Sequence, residues 1–253
     1  MSAEATAVRA ILEIADDCLI LGHRLSEWCG HAPMLEEELA LANMGLDLLG
    51  QARALYAYAG ELEAKGRSED DLAFLRRERE YLNCLLVERR NNDFAHTMLR
   101  QLYFAAFMQP LWRSIASTSN DETLRGIAAK ADKEMAYHLR HSGEWVIRMG
   151  DGTEESAARM ADAVTELHRY TGELFMASPA RTAAITSGLL PDPETIRAEW
   201  DQTIATVFAA AKLTAPDIRT WQKGGRDGIH GEDMGHLLAE LQFMQRAYPG
   251  QTW

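Results

Sequence analysis

Long stretches of this 253-residue chain repeat apolar side chains every three or four positions, and that spacing limits what the chain can fold into. The series Leu35, Leu39, Ala42, Leu46 and Leu49, for example, places its apolar side chains on one face of a helix. We find no convincing run of the apolar–polar alternation that is typical of a half-buried strand. The sequence therefore predicts an all-α fold.

Glycine, proline and Asn/Asp-rich breaks divide the chain into predicted helices. They are expected at about residues 6–29, 35–65, 69–89, 94–117, 121–149, 154–175, 193–213 and 230–248. Long helices joined by short connections favour antiparallel packing in a bundle. We interpret residues 1–253 as a single domain, with a peripheral C-terminal elaboration from about residue 180.

Charge and cysteine content argue against several classes of function. Lys and Arg total 26 against 38 Asp and Glu, a net charge of −12, whereas non-specific nucleic-acid binding needs a positive field. The three cysteines form no C-x-x-C and suggest no disulfide framework, so a reducing cytoplasm is the expected compartment. No signal peptide is recognisable, and apolar runs such as 102–108 are too short to span a membrane.

Segment 134–141 nearly matches a metal-binding motif. Ferritin-like bundles hold two metal ions with one Glu from each of two helices and Glu-x-x-His from each of the other two. Here Tyr137 stands at the histidine position, and His138 lies one residue later, about 100° further round the helix. The same shortage recurs in the second helix, where Gly50 follows Asp47 at three residues. The sequence predicts a ferritin-like four-helix bundle with additional helices and an incomplete ligand set.

Polar side chains interrupt the apolar faces of four predicted helices and could converge at the bundle centre. The candidates for a vestigial metal site are Glu27, Asp47, Asp93, His96, Glu134 and His138. We favour a buried hydrogen-bonded network in place of a metal, because unpaired buried carboxylates are costly. An intact di-iron site, or a mononuclear or zinc site built from His138 and His141, is the alternative. We expect no catalytic, cofactor-binding or metal-binding residue in this chain.

Other groups have ordinary structural interpretations. Segment 76–80, rich in Arg and Glu, is expected to be a solvated, ion-paired face. His138 and His141 alone, on a helix rich in Lys and Arg, are typical of a surface. Cys18, Cys29 and Cys84 are interpreted as small core residues.

Longer motifs resemble a known family over about residues 10–253. They include Leu21-Gly-His-Arg-Leu-Ser-Glu-Trp28, Leu41-Ala-Asn-Met-Gly-Leu-Asp-Leu-Leu-Gly-Gln-Ala-Arg53, Asn92-Asp-Phe-Ala-His96 and Tyr137-His-Leu-Arg-His141. Segments 69–76, 150–155 and 238–250 add to them. In this order the motifs resemble the C subunits of the phenylacetyl-CoA 1,2-epoxidase complex, also called phenylacetate-CoA oxygenase.

The resemblance implies a ferritin-like fold and a structural role in aerobic phenylacetate catabolism. The complex is a multicomponent di-iron monooxygenase whose homologous catalytic A subunit carries the iron and the substrate. A small B subunit and a reductase complete it, the reductase with flavin and an iron–sulfur cluster delivering electrons from NADPH. The C subunit pairs with the A subunit and supports it. No metal ligand carries over to this chain, since its ligand pattern is incomplete.

Two other functions remain alternatives at this point. One is a catalytically active ferritin-like di-metal oxidase that uses the six vestigial-site candidates, and the other is an interaction or storage module without a catalytic partner. For the structural subunit we expect the partner to contact part of residues 94–112 or the first two helices. A homo-oligomer of the isolated chain is also compatible with the sequence, whereas nucleic acid and membranes are not expected partners.

Overall fold

The computed structural model describes residues 3–251, and within that range the regular elements are all helical. The α-helices are α1 Ala3–Ser26, α2 Leu35–Glu63, α3 Glu69–Phe74, α4 Leu85–Glu88, α5 Phe94–Thr118, α6 Glu122–Gly150, α7 Glu154–Leu167, α8 Pro179–Thr186, α9 Arg197–Ala210, α10 Glu232–Leu241 and α11 Phe243–Ala247. Turns of 3₁₀ helix lie at Glu78–Glu80, His168–Phe175, Pro193–Ile196 and Gly225–Asp227. The predicted all-α fold is confirmed.

Four long helices form the ferritin-like bundle, in which α1 packs along α2 and α5 packs along α6. The first pair approaches closely at two glycines. A Cβ on Gly22 would lie 3.2 Å from the carbonyl oxygen of Gly45, and one on Gly45 would lie 3.3 Å from that of Gly22. Small residues at this crossing therefore let the two backbones come near each other. The two pairs contact each other through α2 and α6.

Helix α5 is the core of the bundle. Its first turn is capped by Asp93, whose side chain accepts a hydrogen bond from the backbone N–H of His96 at 2.9 Å. Eighteen of its 25 residues are buried, and the helix continues through Pro110. The neighbouring helices cover almost all of residues 94–112, so of the two surfaces expected to meet a partner this segment offers little exposed area.

The predicted helix over 69–89 is also wrong. Helix α3 ends at Phe74, the chain turns at Glu78–Glu80, and only Leu85–Glu88 is α-helical again. Arg76 causes part of this change, because its guanidinium points inward and is almost fully buried rather than on a solvated face. Its Nε donates to the carbonyl oxygen of Leu72 at 2.6 Å, which ends the helix with a side-chain bond.

Arg76 reaches one member of an acid cluster on the buried side of α1, formed by Glu13, Asp16 and Asp17. The carboxylate of Asp16 is ion-paired with Arg76 and also accepts the hydroxyl of Tyr56 at 2.5 Å. It accepts the backbone N–H of Leu82 at 2.7 Å as well. These bonds hold residues 76–82 against α1 in an irregular path that periodicity alone does not predict.

The other two acids of the cluster bind segments that lie far along the chain from α1. Asp17 accepts hydrogen bonds from the backbone N–H of Cys84 and from the guanidinium of Arg226, each at 2.7 Å. Glu13 accepts the hydroxyl of Ser178 at 2.5 Å. Burial raises the pKa of both carboxyls above the ordinary value, and the Arg226 charge opposes that shift. The acid cluster thus joins α1 to three distant loops.

Helices beyond residue 178 pack against the bundle. Helix α8 contacts α1, and α9 contacts α5 and α6. The indole of Trp200 donates to the carbonyl oxygen of Tyr103 at 3.0 Å. The predicted helix over 154–175 changes at residue 168 into a 3₁₀ helix, where a Cβ on Gly172 would lie 2.4 Å from the ring of Trp221. Among the described helices, none is long and apolar enough to cross a membrane.

Candidate functional site

Segment 134–141, which nearly matches the metal-binding motif, lies on α6 where this helix faces α2 and α5. His138 is fully buried, which agrees with the buried network favoured from the sequence and not with the surface position typical of a His-x-x-His pair alone. Its Nε2 lies 3.2 Å from Oδ2 of Asp47, and its Nδ1 lies 3.0 Å from the amide nitrogen of Gln101. Because an amide nitrogen donates, Nδ1 of the imidazole accepts and Nε2 carries the hydrogen that is donated to Asp47. Both ring nitrogens are therefore occupied by protein atoms.

Gln51 supplies the second half of this arrangement. Its amide nitrogen donates to Oε2 of Glu134 at 2.9 Å, and its carbonyl oxygen accepts the indole N–H of Trp112 at 3.2 Å. The thiol of Cys18 lies 3.6 Å from the same oxygen. Lys130 pairs with the other oxygen of Glu134 at 3.3 Å. We call Asp47, Gln51, Glu134 and His138 the central site.

The remaining vestigial-site candidates do not join the central site. Glu27 forms an ion pair with Arg24 at 2.7 Å and accepts the side-chain amide of Asn91 at 2.9 Å. Asp93 contacts Nδ1 of His96 at 2.7 Å. The other nitrogen of that imidazole lies 3.3 Å from an oxygen of Glu166. The prediction that polar groups on four helices converge at one centre is therefore correct for α2 and α6 but wrong for Glu27, Asp93 and His96.

His141 contacts a different acid of α2 from the one that binds His138. Its Nε2 lies 2.9 Å from Oε2 of Glu37 on α2, although the angle between the groups is unsuitable for a hydrogen bond. His138 meanwhile uses both nitrogens on Asp47 and Gln101. The two histidines thus face different acids along α2. This arrangement does not fit the mononuclear or zinc site considered from the sequence.

The donor set does not fit a di-iron centre either. Such a centre needs about four carboxylates and two histidines around the metals. The central site offers two carboxylates and one histidine, and the neighbouring positions on α1 and α5 carry Cys18 and Gln101. Among residues 4–251, no group of three or more His, Cys, Asp or Glu side chains has the arrangement of a metal site. The chemistry available here is hydrogen bonding between acids, amides and an imidazole.

Comparison with known proteins gives this arrangement a context. Residues 1–253, the full length of the chain, match the family described as phenylacetic acid catabolic protein. The chain belongs to this family. It is 46% identical over 242 residues to a protein of Escherichia coli (strain K12) that is named as the C subunit of 1,2-phenylacetyl-CoA epoxidase. That alignment covers 96% of this chain and 97% of the relative, and the resemblance seen in the motifs is thereby confirmed.

In this member of the phenylacetic acid catabolic family, the sequence did not point to the neutral side chains that contact the central site. Gln101 and Trp112 lie in the largely buried helix α5, and Cys18 lies on α1 next to the acid cluster. A signal was available for Gln101, because an amide in the middle of an apolar helix needs a partner when it is buried. Cys18 and Cys84 are buried as predicted, whereas Cys29 is exposed in the turn after α1 and its core assignment is wrong.

Proposed function

We propose that this chain is a non-catalytic structural subunit of a multicomponent phenylacetyl-CoA 1,2-epoxidase in aerobic phenylacetate catabolism. The observation that carries the proposal is the Gln51 amide, which donates to Glu134 within hydrogen-bond distance of Trp112. Together with the exposed Lys130, this amide satisfies the Glu134 carboxylate with protein groups. The name of the Escherichia coli relative supports the choice of pathway and complex.

In this proposal the iron belongs to the homologous catalytic A subunit, and this chain holds no cofactor. A small B subunit and a reductase that uses NADPH, flavin and an iron–sulfur cluster complete the complex. The chain contributes a rigid bundle against which the catalytic subunit packs. The hydrogen-bonded central site keeps the helices of that bundle in register where a metal-binding relative would use its ligands.

We infer that the partner contacts α2 and the neighbouring part of α6. Three leucines on α2 are unusually exposed, with Leu35 at 70%, Leu39 at 57% and Leu46 at 65%. Tyr137 is also exposed, and its ring on α6 lies near those of the two histidines that face α2. We call these four residues the leucine stripe. The spacing of the leucines follows the 4-3-4 pattern, counting Ala42, that a facing helix fits.

Several observations favour a homologous helical bundle as the occupant of the leucine stripe. A partner built from the same kind of long helices can supply the facing helix that this spacing accepts. Helix α1, the other part of the predicted surface, is buried along residues 10–22 and is not available. Large exposed apolar side chains on one face are characteristic of protein–protein interfaces.

The pairing is tested by co-expression with the A subunit encoded in the same genome. We expect the double variant Leu39→Glu, Leu46→Glu to lose co-purification, because it places two charges in the interface. The matched control is Ile229→Glu, which changes a 58% exposed apolar residue outside α2 and should leave pairing intact. Co-purification of the double variant at the level of the unmodified chain would exclude the leucine stripe as the contact.

The absence of a metal role is tested separately. Iron is measured in each subunit after the co-expressed complex has been separated under conditions that retain bound metal. We expect iron in the A subunit and only background in this chain. About two iron ions per copy of this chain, or oxygen consumption by the iron-reconstituted chain alone, would instead support the di-metal oxidase.

A further inference from the structure

A second region with the features of a binding site lies far from the central site along α2. A cleft of about 430 Å³ opens between the start of α1, the end of α2 and the turn that follows α3. Its apolar wall consists of Val8 and Leu12 from α1, Leu62 from α2 and Leu82 after the turn. This volume lies within the range of small-molecule sites in proteins.

The rim of the cleft is cationic although the chain as a whole is acidic. Five cationic side chains line it against three carboxylates, and they are Arg9, Lys65, Arg67, Arg76 and Arg79 against Glu4, Glu63 and Glu80. The difference of five and three leaves an excess of two positive charges. In a chain with a net charge of −12, this is a local reversal of sign.

Three of these cations are already committed to protein groups. Arg76 is paired with Asp16 and uses its remaining N–H groups on backbone oxygens and Tyr56. Arg67 and Lys65 both bind Glu63. The hydrogen bond from Arg67 lowers the pKa of the Glu63 carboxyl to about 2, so this acid stays charged and holds both cations.

The other two guanidiniums are free to bind an anion. Arg9 donates to the carbonyl oxygen of Arg226 at 3.1 Å and has no carboxylate partner in the described part of the chain. Arg79 is exposed and forms no ion pair with any described residue. A guanidinium presents a planar set of donors that matches a carboxylate, sulfonate or phosphate group.

We propose that this cleft binds a small amphipathic organic anion, with its apolar body against the aliphatic wall and its charged head on Arg9 and Arg79. The observation behind the proposal is the combination in one cleft of an apolar wall with two guanidiniums that form no ion pair with any described carboxylate. The proposal does not depend on the role of the chain in an epoxidase, because neither the leucine stripe nor the central site takes part.

The test uses the full-length chain and two probes that differ only in the head group. Octanoate and octanol are titrated by calorimetry and by ligand-observed NMR. We expect saturable octanoate binding and at least about tenfold weaker octanol binding, since charge-assisted hydrogen bonds are made only by the carboxylate. The double variant Arg9→Gln, Arg79→Gln should lower the octanoate affinity by at least about tenfold and leave octanol binding unchanged.

Two further variants separate this cleft from other apolar surfaces. Leu62→Trp fills the cleft while keeping both arginines, and it should abolish octanoate binding. Arg53→Gln removes an exposed cation on α2 outside the cleft and should leave the affinity as it was. Arg79→Gln alone serves if the double variant is unstable, because Arg79 is exposed. The proposal is overturned if octanoate shows no saturable binding up to about 5 mM, if octanol binds equally well, or if the arginine variants bind octanoate normally.

Discussion

Carboxylates are used in two different ways in this bundle, in the central site and in the acid cluster of α1. In the central site, Asp47 remains 36% exposed at its side chain and its partner is an imidazole. In the acid cluster, Asp16 is fully buried and its partners are a guanidinium, a phenol and a backbone N–H. The first set joins two neighbouring helices, whereas the second holds irregular segments against a helix.

The difference teaches where charge is indispensable to the fold. A buried carboxylate with a full set of donors cannot lose one partner without leaving the other buried and uncompensated. A half-exposed carboxylate can turn to water instead. The acid cluster is therefore expected to carry much of the stability, and the central site is expected to tolerate change. Four tests sharpen this comparison.

The largest effect is expected for Asp16→Asn. The substitution keeps the shape of the side chain but leaves the buried Arg76 guanidinium without its ion-pair partner, which should cost about 3–5 kcal/mol of unfolding free energy. Urea unfolding followed by circular dichroism measures the change. A loss below about 1 kcal/mol would contradict the importance assigned to the acid cluster.

The next effect concerns the amide of the central site. Gln51→Leu removes the acceptor of the Trp112 indole N–H and the donor of Glu134. Leaving these groups without their partner should cost about 1–3 kcal/mol in the same unfolding assay. Gln51→Glu serves as the comparison, because it keeps the acceptor but places a second carboxylate beside Glu134. If the leucine variant proves as stable as the unmodified chain, the hydrogen bonds of Gln51 do not hold the site together.

The third test concerns a buried carboxylate, Glu88, whose partner is a histidine. The side chain of His230 is buried and contacts the carboxylate of Glu88 at 2.8 Å. Burial alone would lower the pKa of His230, but the hydrogen bond to Glu88 and the charge of that carboxylate raise it above its ordinary value. The stabilisation from protonated His230 is therefore fully present below pH 6.5 and is lost as the pH rises through the raised pKa.

Unfolding free energies of the unmodified chain and of His230→Gln at pH 6 and pH 8 isolate this contribution. The advantage of the unmodified chain should be larger at pH 6. His23 and His168 act in the opposite direction, because burial lowers the pKa of each. Their effect is common to both proteins and cancels in the difference. An advantage that grows towards pH 8 would contradict the assignment.

The smallest effect is expected for Asp47→Asn. The asparagine oxygen can still accept the Nε2 hydrogen of His138, and the side chain is partly in water. The loss of unfolding free energy should stay below about 1 kcal/mol. A loss as large as that of Asp16→Asn would mean that the central site and the acid cluster are equivalent, and the comparison would fail.

The sequence predicted the parts of the fold that depend on local periodicity. The long helices α1, α2, α5 and α6 were predicted because their apolar residues recur at helical spacing over many turns. The segment 69–89 was not, because Arg76 finds its partner Asp16 sixty positions earlier in the chain. The spacing of apolar residues gives no information about a side-chain bond between residues so far apart in the sequence.

The candidate site was predicted in the same partial way. The near-motif Glu134-x-x-Tyr137 identified the correct helix, since helical spacing fixes which residues share a face. The pairing of His138 with Asp47 was not predicted, because it depends on how α6 packs against α2. The assignment of Glu27 was wrong because α1 ends at Ser26, so Glu27 lies in the following turn, where it binds Arg24 and Asn91. The acid cluster was overlooked because Asp16 and its neighbours look like ordinary polar residues until the packing around α1 is known.

The contact between Asp17 and Arg226 also bears on how the chain is made. The two residues are 209 positions apart, and Glu88 likewise waits for His230, 142 positions later. A ribosome releases the N-terminal helices first, so their buried acids lack these cations until residue 226 of 253 has been translated. A nascent or truncated chain thus carries an uncompensated charge in its first helix. In such a chain, burial of Asp17 is disfavoured until the segment that carries Arg226 has been added.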